Sequence, residues 1–209
     1  SESTLSPFPP FSPPPQPRAG LARPSRIEHL SHVCAQTALA TLERRSANQP
    51  GLGLALSQAL ARHSGQHDYV LLDCPPTLGL LMINALAAAD RVVIPTQAEP
   101  LALHGLAGTR RTAEMVERSR RRPLPVSVLP TLYDRSTRAG QEALRKMQDD
   151  HGERVWEDAI PVDTRLCNAE LLVQPVGEDG GYPGRALSSY RRALDWILAG
   201  DAEPMERAA

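Results

Sequence analysis

The carboxylate of Asp73 stands at the end of the apolar run Tyr69-Val70-Leu71-Leu72 and is followed by Cys74-Pro75-Pro76. A continuous apolar run stopped by prolines predicts a strand buried on both faces. An acid at the tip of such a strand is placed to hold a magnesium-bound water beside nucleotide phosphates. Asp73 is therefore a candidate metal site, through water to magnesium, with Pro75 and Pro76 in the same turn. The same carboxylate also fits a plainer role, capping the turn that follows. Cys74 is a poor nucleophile there, because the adjacent negative charge disfavours thiolate. His63 and His67 are four residues apart and could share a helix face, but no third metal ligand stands at a compelling spacing. Arg118, Arg120, Arg121 and Arg122 cluster where a helix should end, a pattern that complements the helix dipole and could also meet phosphate.

Phosphate binding by a glycine-rich loop needs a lysine, and the sequence has one, Lys146, among 23 basic residues. It lies in a polar helical stretch, and no G-x-x-x-x-G-K-[ST] string occurs in the 209 residues. There is no G-x-S-x-G nucleophile elbow either.

The elements that must position these groups follow from the hydrophobic pattern. Strands are expected at 30–33, 69–73, 91–94, 126–129 and 155–160. Helices are expected within 37–62, broken at Pro50-Gly51, and at 80–88, 103–120, 141–148 and 187–198. In the last of these, Leu187, Tyr190, Leu194, Ile197 and Leu198 form one stripe. Apolar strands separated regularly by helices predict a doubly wound α/β domain with a mostly parallel sheet. Function in such sheets sits at the carboxyl ends of the strands, immediately after Asp73, Ile94, Leu129 and Ile160.

Composition sets the outer limits. Eight prolines in the first 24 residues predict an extended tail over 1–26, ahead of a domain over 27–200 and a short flexible tail over 201–209. The P-x-x-P string from Pro10 to Pro13 could serve as a docking ligand. A net charge of -1 excludes a globally basic nucleic-acid binder while leaving room for a local basic patch. Cys34, Cys74 and Cys167 are odd in number and far apart, so no disulfide framework or zinc ribbon is encoded, and a cytoplasmic protein is expected. No signal peptide is legible, and the longest apolar stretch, 78–89, is too short for a membrane span.

The run Asp68-Tyr69-Val70-Leu71-Leu72-Asp73-Cys74-Pro75-Pro76-Thr77-Leu78-Gly79, followed by Ile83-Asn84-Ala85-Leu86 and Ala89-Asp90, resembles the central signature of the ParA/MinD family of partitioning ATPases. The resemblance continues through Ile94-Pro95-Thr96-Gln97-Ala98-Glu99, Ala102-Leu103-His104-Gly105-Leu106 and 132–138 to Ile160-Pro161-Val162-Asp163-Thr164-Arg165. The form of that last loop is most similar to the subset that positions chemosensory arrays and other cellular cargo.

The resemblance implies a P-loop NTPase fold and ATP with magnesium as cofactors. It also implies a homodimer closed by ATP, nonspecific DNA binding, and a partner or adaptor protein that regulates the cycle. It makes Thr131, Pro161 and Val162 possible adenine contacts, and Arg135, Arg138 and Arg165 possible DNA contacts. The departure from the family pattern is at the amino-terminal side, where proline-rich sequence stands in place of the strand, P-loop and helix. The residues as written are thus expected to lack the P-loop unit and to be unable to hydrolyse ATP alone. The alternative role is a nonenzymatic adaptor that retains only partner binding.

Overall fold

The computed structural model describes residues 22–25, 27–35, 52–62, 65–75, 77, 79–164 and 185–202. At its centre are two parallel strands, β3 (Val92–Gln97) and β4 (Val126–Thr131), in register from Val92 against Val126 to Gln97 against Thr131. Both are rich in β-branched residues. The Val92 N–H donates to Pro125 O and the Ala98 N–H to Thr131 O, each at 2.9 Å, so the ladder runs past both strand ends.

Beyond β4 the expected strand at 155–160 lies alongside but is broken. Trp156 N donates to Val128 O and Ile160 N to Pro130 O, so β4 advances two residues while its neighbour advances four. Residues 157–159 bulge outward, and Asp158 turns back to accept from Ala159 N at 2.8 Å. Single bridges at Val128 with Val155 and Tyr133 with Pro161 replace a full ladder.

Helices cover both faces, as the doubly wound pattern requires. α3 (Pro100–Ser119) and α4 (Arg138–His151) lie on one face, where Leu106 and Met147 pack with Ile94, Val128 and Val155. On the other face α5 (Arg185–Ala202) brings Ala186 and Ala193 onto Leu129, Trp156 and Ile160. α2 (Leu80–Ala88) completes the core by packing Met82 and Leu86 against Ala113, Val116 and Leu124. The short α1 (Ala55–Ala61) follows a 3-10 turn at Leu52–Leu54. Buried Asn84 holds it to α2, accepting from the Leu56 N–H while donating to Leu80 O. A pair of two-residue strands, β1 (Arg23–Pro24) and β2 (Ser31–His32), is antiparallel and straddles the expected tail boundary at residue 26. Of the strand expected at 30–33, the middle two residues pair.

One expectation is overturned. The run at 69–73 is not a strand: it has no regular structure, Leu71 is 91% exposed and Val70 54%. A strand is stabilised by a neighbour, and no described segment offers this run a ladder. The apolar stripe on α5 is partly covered, with Leu187, Ile197 and Leu198 half-buried. Ala186, Ser189 and Ala193 are buried, while Tyr190 and Leu194 are 43% and 53% exposed. Small side chains let the helix approach a sheet face already filled by Trp156 and Ile160. The first helix expected within 37–62, the expected proline-rich tail before residue 22, and residues 203–209 lie outside the described residues.

Candidate functional site

The carboxyl ends of β3 and β4 meet the 155–162 segment in one set of loops. After Thr131 the chain passes through Leu132 in a left-handed conformation (φ 49°), which turns Tyr133 toward the neighbouring segment. Tyr133 N donates to Ile160 O (3.0 Å) and Val162 N to Tyr133 O (3.2 Å). Thr131, Pro161 and Val162, separated by about thirty residues of sequence, are thereby brought into adjoining loops.

The same loop then forms a rigid turn into α4. Asp134 accepts from the Ser136 hydroxyl (2.7 Å) and the Ser136 N–H (2.9 Å). These bonds, the hydroxyl foremost, hold its carboxyl below the usual carboxylate range. Thr137 is the N-cap, accepting from Gly140 N at 3.2 Å while its hydroxyl donates to Asp134 O. Gly140 is required by close approach: a Cβ there would stand 2.8 Å from Thr137 Oγ1 and 3.0 Å from Asp134 O. The turn carries Arg135 and Arg138 on its exposed surface. Arg138 Nε is paired with Glu142 at 2.7 Å, whereas Arg135 is exposed and its carbonyl accepts from the Gln141 side chain. The turn's signal in sequence is the string Asp134-x-Ser136-Thr137, an acid and an N-cap ahead of a helix.

Asp73 is not joined to these loops. It is exposed and makes no hydrogen bond or ion pair among the described residues. Pro75 is exposed beside it, and Pro76 and Arg165 lie outside the described residues. Cys74 packs against the α2–α3 cluster, donating its thiol to Leu72 O, and burial together with Asp73 pushes its pKa up. No group of three or more His, Cys, Asp or Glu that could hold a metal ion occurs among the described residues. Among the described residues, Asp73 has no group of further acids beside it that would complete a metal site.

The arginine cluster is partly committed to structure. Arg120 Nη1 donates to Leu86 O (2.8 Å), and Arg122 donates to Ala88 O and pairs with Asp90. These two side chains satisfy carbonyls at the carboxyl end of α2. Arg118 and Arg121 remain on the surface.

Helices on both faces of a parallel sheet, with the loops of interest at the strands' carboxyl ends, define a doubly wound α/β protein. Cobyrinic acid a,c-diamide synthase from Mycobacterium smegmatis, solved with a bound ATP analog and magnesium, is similar at 35% identity. Its TM-score is 0.58 over 63% of this chain and 55% of that one. Residues 19–126 match an AAA-domain family. The chromosome partitioning protein ParA of Myxococcus xanthus is 32% identical over 75% of this chain. The chromosome-partitioning ATPase Soj of Thermus thermophilus is 35% identical over 88% of this chain and 71% of its own length. The chain belongs to the ParA/MinD family of partitioning ATPases. It spans 56% of the Myxococcus protein's length. No helix among the described residues is long and apolar enough to cross a membrane.

Proposed function

We propose that this chain acts in partitioning or positioning, the segregation of DNA or the placement of a cellular cargo such as chemosensory clusters, in the cytoplasm. The observation that supports the reading is the hydrogen-bonded turn at 134–140, which carries exposed Arg135 and Arg138, the latter within reach of phosphate on exchanging its Glu142 partner. Clustered positive charge on a fixed turn suits contact with successive phosphates of any DNA sequence. Thr131, Pro161 and Val162, on adjoining loops, are the proposed platform for an adenine base. Arg165 is proposed as a further DNA contact, and Asp73 as the water-mediated magnesium site in a complete nucleotide pocket. A homodimer closed by ATP and a regulatory partner protein belong to the same reading.

The 209 residues are proposed not to turn over ATP by themselves, since the sequence holds no P-loop lysine. The exposed, unpartnered Asp73 favours a second reading, an adaptor that keeps the family's binding surfaces without the nucleotide switch. ATP titration separates the two: binding that is lost in Asp73→Ala supports the first, and no binding at about millimolar ATP supports the adaptor.

For DNA, titration of a mixed-sequence duplex at several salt concentrations tests the arginine turn. The double substitution Arg135→Ala and Arg138→Ala is expected to weaken binding uniformly across sequences. It should also flatten the slope of log affinity against log salt by roughly one per lost contact. A salt-independent affinity in the unaltered protein sinks the proposal.

A further inference from the structure

α4 opens on a charge that its own backbone disfavours. Arg138 is the first helical residue, directly after the N-cap Thr137, and the first turn holds no acid. The amino end of a helix carries a partial positive charge, so a cation there is repelled and an anion is attracted. Compensation comes from Glu142, one turn on, whose carboxylate accepts from Arg138 Nε at 2.7 Å. The pair stands in the weaker order as well, since an acid placed before a base at this spacing stabilises a helix more than the reverse. Helix stability does not account for this pair.

Its position supplies a different account. The side chains of Arg138 and Glu142 are 90% and 55% exposed, so their bond is made in water, where it is weak and open to exchange. Arg135, on the same turn, is exposed, and its guanidinium makes no hydrogen bond or ion pair among the described residues. Carboxylate and phosphate oxygens compete for the same guanidinium N–H groups. Arg135 can therefore meet a phosphate as it stands, whereas at Arg138 a phosphate has to displace Glu142 and meets its negative charge. Adjacent residues of α4 thus act on the turn in opposite senses. Gln141 braces it, donating to Arg135 O at 2.8 Å, and Glu142 shields it.

We propose that Glu142 is a built-in competitor for phosphate, which keeps the contact between Arg138 and DNA weak and readily reversed. This rests on the reading of the 134–140 turn as a DNA contact and adds the residue that sets its strength. A protein that has to release one stretch of DNA and take up another is served by such an arrangement, because a carboxylate of its own replaces the departing phosphate.

Fluorescence anisotropy of a labelled mixed-sequence duplex, titrated with the full chain at several salt concentrations, tests this. Glu142→Gln keeps an oxygen that can accept from Arg138 Nε and removes only the charge. It is expected to raise affinity at low salt by about two- to fivefold, the range an exposed ion pair can supply, with the thermal melt unchanged. The slope of log affinity against log salt should steepen by up to about 0.9, because one more cation is free to displace a counterion. The gain should vanish in an Arg138→Ala background, which isolates the pair from general charge effects. Asp149→Asn, which removes an exposed acid further along α4, should give no comparable gain. A gain that survives in Arg138→Ala, a gain matched by Asp149→Asn, or a Glu142→Gln protein that binds no tighter than the unaltered one overturns the proposal. In those cases salt-dependent binding by the unaltered protein leaves the DNA reading standing. If no variant binds the duplex at any salt concentration, the DNA reading falls and the proposal falls with it.

Discussion

At the scale of single residues, the turn before α4 shows how a short polar string fixes a surface loop. Substituting Ala for Gly in a helix ordinarily gains stability of about 1 kcal/mol. At Gly140 the sign should reverse, because the added carbon meets the Asp134 carbonyl oxygen at 3.0 Å and backbone cannot yield cheaply. Gly140→Ala is expected to cost about 1–3 kcal/mol in chemical denaturation, and Thr137→Ala about 1 kcal/mol through loss of the cap. The two should not add, since both act on one cluster of contacts. His151, at the other end of α4, makes a pH prediction. Its Nδ1 is buried with no hydrogen-bond partner among the described residues, and burial and then Arg110 lower its pKa from 6.5, with Arg154 and Lys146 adding and Asp150 opposing. Above pH 6.5 the ring is neutral folded or unfolded, so its contribution is fully present. As pH falls through 6.5 toward the depressed folded value the unfolded chain takes the proton first, and stability drops. His151→Gln should flatten the melting temperature over that window, and an unchanged pH profile would reject the assignment.

At the scale of elements, the helices and the strands after residue 90 are legible because their stabilising contacts are close in sequence or strongly patterned. α2 falls at the expected 80–88, and α3 begins three residues early because Pro100, barred from a helix interior, is well suited to its first turn. The buried run of β4 reads correctly because α4 and α5 cover its two faces. Residues 69–73 have as strong a strand pattern and form none, since pattern records which side chains want burial, and no strand among the described residues lies alongside them. α5 differs. Its largest apolar residues are the obvious stripe, yet close packing on a crowded sheet selects Ala186 and Ala193. Much the same holds at the candidate site. Arg135 and Arg138 are visible as charges, while the committed roles of Arg120 and Arg122 depend on α2 carbonyls more than thirty residues away, which spacing alone does not reveal.

At the scale of the molecule, stability should follow the three packed clusters and bypass the segment that carries Asp73. Met147 is fully buried between α3, β4 and the 155 segment, so Met147→Ala removes a side chain from the densest part of the core and is expected to cost about 2–5 kcal/mol. Leu71 belongs to the most strand-like stretch of the sequence, but at 91% exposure Leu71→Ser should change stability by no more than about 0.5 kcal/mol. Equilibrium unfolding of the two variants thus separates this arrangement from one in which 69–73 is an interior strand, where Leu71→Ser would be the more damaging. Amide exchange gives the same contrast without substitution. The hydrogen-bonded N–H groups of β3 and β4 should be protected nearly to the global unfolding free energy, and those of 69–73 should exchange close to the rate of an open chain. Protection of Val70 and Leu71 on adding Mg-ATP or DNA would show that ligand recruits this run into the sheet and carries Asp73 with it.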